Sequence, residues 1–138
     1  MTENDGPIYA IRTSQASLPA GHYAQGMCYG SLVFVSGQLP VRPDGSHAPQ
    51  APLESQVRQA LENVLAIIRE AGCEAKDLLK VTAYLVGVEC WPAFDRVYAE
   101  ALGENRPARA VVPVPALHYG YLVEIEAIAA RRRTRGST

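Results

Sequence analysis

The residues that could do chemistry lie close together near the C-terminal end of the chain. They fall in Asn-Arg-Pro-Ala-Arg-Ala-Val-Val-Pro-Val from Asn105 and, after a turn, in Tyr-Leu-Val-Glu-Ile-Glu-Ala-Ile-Ala from Tyr121. Both stretches read as strands of β-branched residues, and each carries a charge that a core strand avoids, Arg109 on the first and Glu124 on the second. A guanidinium grips a planar carboxylate through two parallel hydrogen bonds, whereas a carboxylate can hold a water or pass a proton. If the two lie within one small molecule's length of each other, binding and proton transfer share one cleft. An ordinary cross-strand ion pair uses the same residue types, and the sequence leaves both readings open.

Other chemistries find less support. Cys28, Cys73 and Cys90 are odd in number, widely spaced and without a Cys-x-x-Cys pair, which predicts reduced, mostly buried thiols, with neither a disulfide framework nor a zinc site. His22, His47 and His118 each lack a second ligand at helical or hairpin spacing, so no metal is expected. Charged residues make up 20% of the 138 residues and the net charge is −1, which leaves no global field to draw in nucleic acid or an anionic membrane. Partners are expected to be small molecules or protein. The apolar runs fall far short of the ~20 residues that cross a bilayer. The N-terminal Met-Thr-Glu-Asn-Asp-Gly carries acids where a secretory signal carries bases, and a cytoplasmic protein is expected.

The elements that must position Arg109 and Glu124 follow from periodicity. Residues 8–13 and 31–38 read as strands, and Gly37 at the end of the second would let a backbone or a ligand come close. Residues 14–25 read as loop, as do 41–52 with their Pro43-Asp44-Gly45 turn. Over 53–71, Val57, Ala60, Leu61, Val64, Leu65, Ile68 and Ala71 form one stripe of an amphipathic helix, with Pro52 in a first-turn position and Gly72 as its stop. Residues 77–86 alternate as a strand, 92–102 form a shorter helix stopped by Gly103, and two strands finish the fold. Pro113 predicts an edge or bulged strand over 109–114, and Arg131 to Arg135 read as a solvated basic tail.

That order gives one α+β domain over 1–138, a mixed sheet with both helices packed on one face and flexible ends at 1–7 and 133–138. Strands apolar on both sides, such as 32–35 and 110–114, leave the far face needing a cover. Self-association supplies one, and clefts between subunits become natural ligand sites.

Six segments together resemble the reactive intermediate deaminase (RidA/YjgF) family over about 14–132. They are Tyr23-Ala24-Gln25-Gly26, Leu32-Val33-Phe34-Val35-Ser36-Gly37-Gln38-Leu39-Pro40, Gln56 to Val64, Val97-Tyr98-Ala99-Glu100, Pro107-Ala108-Arg109 and Val123 to Ala129. The resemblance implies a chorismate-mutase-like fold, a homotrimer with a cleft at each subunit interface, and hydrolysis of reactive enamines and imines to 2-oxo acids and ammonia without metal or organic cofactor. Carried over by position, Arg109 is the clamp on the substrate carboxylate and Glu124 the acid that positions water. Tyr23 is a cleft tyrosine, and Ser36 with Gly37 is the strand end that lines the pocket.

Two positions depart from the family's common residues: Val111 stands where many members have cysteine, and Asp95 where many have asparagine. Both alter the pocket wall, and an Asp95 facing the cleft would weaken a carboxylate ligand. His118, Tyr119 and Tyr121 either enlarge the pocket with aromatic rings or pack at the trimer seam. The alternatives to a small imino acid are a bulkier biosynthetic or catabolic intermediate of aminomuconate type, or a trimer that binds small carboxylates without turnover. A ribonuclease finds little support in a chain of this charge without a basic stripe.

Overall fold

In the computed structural model, residues 7–132 are described; of the ends expected to be flexible, 1–6 and 133–138 lie outside that range. Strands β1 (Ile8–Ile11), β2 (Gly26–Tyr29) and β3 (Leu32–Gln38) form an antiparallel meander, and helix α1 (Leu53–Glu70) follows. Strand β4 (Leu78–Val86), helix α2 (Trp91–Leu102) and strand β5 (Ala108–Val114) make a parallel crossover unit. The last strand, β6 (Val123–Ala130), inserts between β3 and β4, giving the sheet order β1-β2-β3-β6-β4-β5. Glu124 thus sits on an interior strand and Arg109 on an edge strand, which accommodates Pro113.

Helix α1 forms where its stripe predicts. Val57, Ala60, Leu61, Val64, Ile67 and Ile68 are buried against the sheet, and Gly72, at φ 89°, ends the helix as its Cys73 neighbour donates N–H to the Ile68 carbonyl at 2.9 Å. Pro52 is the N-cap residue rather than part of the first turn. The core lies between the helices and one sheet face, where Val33, Val35, Val81, Ala83, Leu85, Val123, Ile125, Ala127 and Ala129 are buried.

The other face is uncovered. Met27, Tyr29 and Phe34 alternate with buried Cys28 and Val33, and Phe34 is 42% exposed in the middle of a strand. This is the unpartnered apolar surface expected from strands apolar on both sides.

Two sequence expectations are corrected. Strand β2 was not foreseen, because Gly-Met-Cys-Tyr has neither length nor β-branching; pairing on both sides, to β1 and β3, creates it. The start of the basic tail is anchored, not frayed. Arg131 donates to the Tyr9 hydroxyl at 2.7 Å and to the Gly30 carbonyl, and Arg132 donates to buried Asp77 at 3.0 Å; Arg133 and Arg135 lie outside the described residues. No helix among the described residues is long and apolar enough to cross a membrane.

Candidate active site

A bulge builds the site. Val35 pairs with Ala127 and Gln38 with Ile125, so Ser36 and Gly37 together stand opposite Glu126 alone. Ser36 is spent on holding this kink: its N–H donates to the Gln25 carbonyl at 2.9 Å and its hydroxyl to the Ala24 carbonyl at 2.6 Å. Gly37 is bare for a reason, since a Cβ there would lie 2.6 Å from Oε2 of Glu124. The Glu124 carboxylate therefore rests directly on the Gly37 backbone.

Above it opens a cavity of about 610 Å³. Tyr23 and residues 17–21 form one wall, Leu39, Val41, Pro43, Asp44, Gly45 and His47 another, and His118 and Tyr119 stand beside Glu124. Asp44 and Glu124 contribute acids, and no Lys or Arg is among the lining residues. Tyr23 is half exposed, with its hydroxyl accepting the Ala20 N–H at 3.3 Å. Burial holds the Glu124 carboxyl above the ordinary carboxylate range; nearby His118 pulls it down and Glu126 pushes it further up. A carboxylate so placed is a better proton acceptor than one in water.

Buried amides hold the irregular walls. The Gln25 amide donates to the carbonyls of Thr13 and Ser17 and accepts the Thr13 N–H. Asn63 on α1 donates to the carbonyls of Leu39 and Val41, while Gln56 donates to those of Pro49 and Ala51 and accepts the Leu122 N–H. Loop backbone that water would otherwise have to satisfy is thus fixed from the helix.

Arg109 belongs to a different environment. Strand register places it beside Val81 and Ala127, on the face that the helices cover, whereas Glu124 lies beside Tyr84 and Val112 on the open face. Its guanidinium carbon lies 4.8 Å from the ring centre of Tyr98 and 5.7 Å from that of Phe94, and Nη1 donates to Asp95 at 2.8 Å. Val111, on the same side of β5, packs against the core beneath it. Within one chain, therefore, Arg109 and Glu124 do not share a cleft. Alternation along two strands an odd number of positions out of phase sends them to opposite faces. Nor are they an ion pair with each other: the partner of Arg109 is Asp95.

The predicted residues thus fall into two groups: Tyr23, Ser36, Gly37 and Glu124 around the cavity, and Arg109, Asp95 and Val111 at the β5 edge. His118 and Tyr119 line the cavity, the first of the two places left open for that loop, whereas His47 was not singled out as a cavity residue. His47 packs against Tyr119 with ring centres 4.5 Å apart and planes tilted by 47°, and its Nδ1 is 3.0 Å from the hydroxyl of Tyr121. No local spacing joins residues this far apart in sequence. Tyr121 itself is buried and does not line the cavity. Among the described residues no cluster of His, Cys, Asp and Glu could hold a metal ion.

Comparison with known proteins places this geometry. A RutC family protein of Pyrococcus horikoshii is 40% identical over 86% of this chain and 94% of its own length. The 2-iminobutanoate/2-iminopropanoate deaminase of Escherichia coli is 36% identical over 88% of this chain and 97% of its own. The structure of Escherichia coli TdcF with bound serine superposes with a TM-score of 0.85 at 37% identity, covering 90% of this chain and 99% of that one. With the family model described as Endoribonuclease L-PSP matching residues 13–131, the chain belongs to that family, the RidA/YjgF family that its six segments resemble.

Proposed function

We propose that the protein hydrolyses 2-imino acids, and the enamines that tautomerise to them, to 2-oxo acids and ammonia. The carrying observation is Glu124, a carboxylate whose proton affinity is raised by burial, seated on Gly37 at the floor of a cavity lined by no cation. A protonated imine brings the complementary positive charge to that acid. Glu124 takes a proton from the attacking water as its oxygen bonds to the imine carbon, and returns it to the nitrogen of the resulting carbinolamine. The C–N bond then breaks to release ammonia as Glu124 takes the hydroxyl proton and passes it to the departing ammonia, leaving the 2-oxo acid and ammonium, so that protonated imine plus water accounts for every atom. Placement supplies most of the acceleration, because the iminium is already electrophilic and no cofactor is needed. The names of the Escherichia coli deaminase and of serine-bound TdcF support a small amino-acid-like substrate.

The substrate carboxylate requires a cation, and Arg109 lies on the opposite sheet face of the same chain. The reading therefore places each active site between copies, Glu124, Tyr23 and Gly37 from one and Arg109 from the next, in a homotrimer that covers the exposed Phe34 face. RNA cleavage, which the family description also evokes, would need cations along the groove for the phosphates.

The test couples the protein to an amino-acid oxidase or threonine dehydratase and follows imine loss. Acceleration over buffer is expected, and Arg109→Ala and Glu124→Gln are each expected to abolish it. Mixing the two inactive variants under subunit exchange rebuilds intact interfaces at about a quarter of the sites. Saturable 2-oxo acid binding without turnover would instead mark a carboxylate-binding trimer. Mixtures that stay inactive would place Arg109 outside the site.

A further inference from the structure

The cavity contains one backbone anomaly. Tyr119 sits at φ 63°, ψ 10°, the left-handed region, and is the one non-glycine residue with positive φ among those described. Such a conformation is costly for a residue with a bulky side chain and persists only where its surroundings hold it. They do: the ring packs against His47, centres 4.5 Å apart and planes tilted by 47°, and meets the edge of Tyr121 at 6.3 Å and 76°. Tyr121 is fully buried, its hydroxyl accepts the Ala48 N–H at 3.1 Å, and it fixes His47 through Nδ1. A core tyrosine therefore braces two rings that are themselves exposed to the cavity, Tyr119 at 54%.

We propose that Tyr119 and His47 form a recognition wall for an aromatic side chain, so that the preferred substrates are 2-imino acids carrying an aromatic ring. This inference rests on the deaminase reading and names its substrate class. A cavity of about 610 Å³ matches ligands far larger than a three- or four-carbon imino acid. Stacked or edge-on rings recognise an aromatic side chain and gain little from a methyl group. Glu124, with no Lys or Arg among the residues lining the cavity, disfavours a second carboxylate on the substrate, although Asp44 has Arg42 close by. The expected order is aromatic above branched aliphatic above acidic.

The test generates imines in situ from phenylalanine, leucine and aspartate with amino-acid oxidases and reads kcat/KM for their loss. Alongside it, calorimetry measures binding of phenylpyruvate against 2-oxobutanoate. A phenylalanine-to-leucine ratio of tenfold or more is expected, and phenylpyruvate is expected to bind at least tenfold more tightly. The informative variant is Tyr119→Gly, which removes the ring and relieves the left-handed strain, so its melting temperature should match or exceed the parent's. Both ratios should fall at least fivefold. Ratios near one in the parent, ratios unchanged in Tyr119→Gly, or an altered sedimentation coefficient in that variant, which would put the ring at a subunit seam, each overturn the proposal. If no imine is accelerated while phenylpyruvate still binds preferentially and in a Tyr119-dependent way, the deaminase reading fails and the aromatic wall stands as a binding site.

Discussion

Three residues carry the sharpest consequences of the proposed site. Glu124 keeps its proton to higher pH in the fold than in the unfolded chain, where the usual value is 4.5. The acid limb of the parent's kcat/KM profile is therefore expected at a pH above that value. The same shift favours the fold below the ordinary carboxylate range, and that contribution is lost as pH rises through the elevated folded value. Glu124→Gln should accordingly melt no lower than the parent at neutral pH, which a calorimetric scan checks. Gly37→Ala pushes a methyl to 2.6 Å from the carboxylate oxygen, and the resulting shift is expected to cost about 10²-fold in kcat. Asp95 competes with substrate for the Arg109 fork. Asp95→Asn should lower KM by up to about fivefold with kcat little changed, the modest size following from a half-exposed pair.

At the scale of elements, the site depends on irregular backbone that α1 organises. Gln56 bridges residues 49–51 to Leu122, just before β6, through a side chain that is almost wholly buried. Gln56→Leu keeps the volume but strands three backbone groups, and a loss of about 2–3 kcal/mol is expected in urea unfolding. A contrasting case lies in α2, where the Tyr98 hydroxyl is buried without a hydrogen-bond partner. Tyr98→Phe removes an unsatisfied group while keeping the ring under Arg109, so stability should hold or rise by about 1 kcal/mol. The helices and the long strands were legible because their apolar residues repeat at 3.6 or 2. The bulge at Ser36–Gly37 and strand β2 were not, because each exists only as a relation between paired strands.

For the whole molecule, the uncovered sheet face and the separation of Arg109 from Glu124 make one argument. In the proposed assembly another copy covers the face bearing Met27, Tyr29 and Phe34, and the same contact would complete a site split between two faces. Phe34→Glu is expected to yield smaller particles in sedimentation and to lose activity along with assembly. Retained activity in a monomer would separate the two.

By itself the sequence determined the α+β class, the family, and the identity of Glu124 and Arg109 as the residues worth watching, because composition, periodicity and ordered motifs are local properties of a chain. Only the tertiary structure decided which of them meet. Side chains alternate along strands, so the face each one takes depends on register across neighbours, and register set Arg109 against Asp95 and the α2 rings while turning Glu124 toward Gly37. Tyr119 and His47, far apart in sequence, became one wall because buried Tyr121, two residues beyond Tyr119, holds them there.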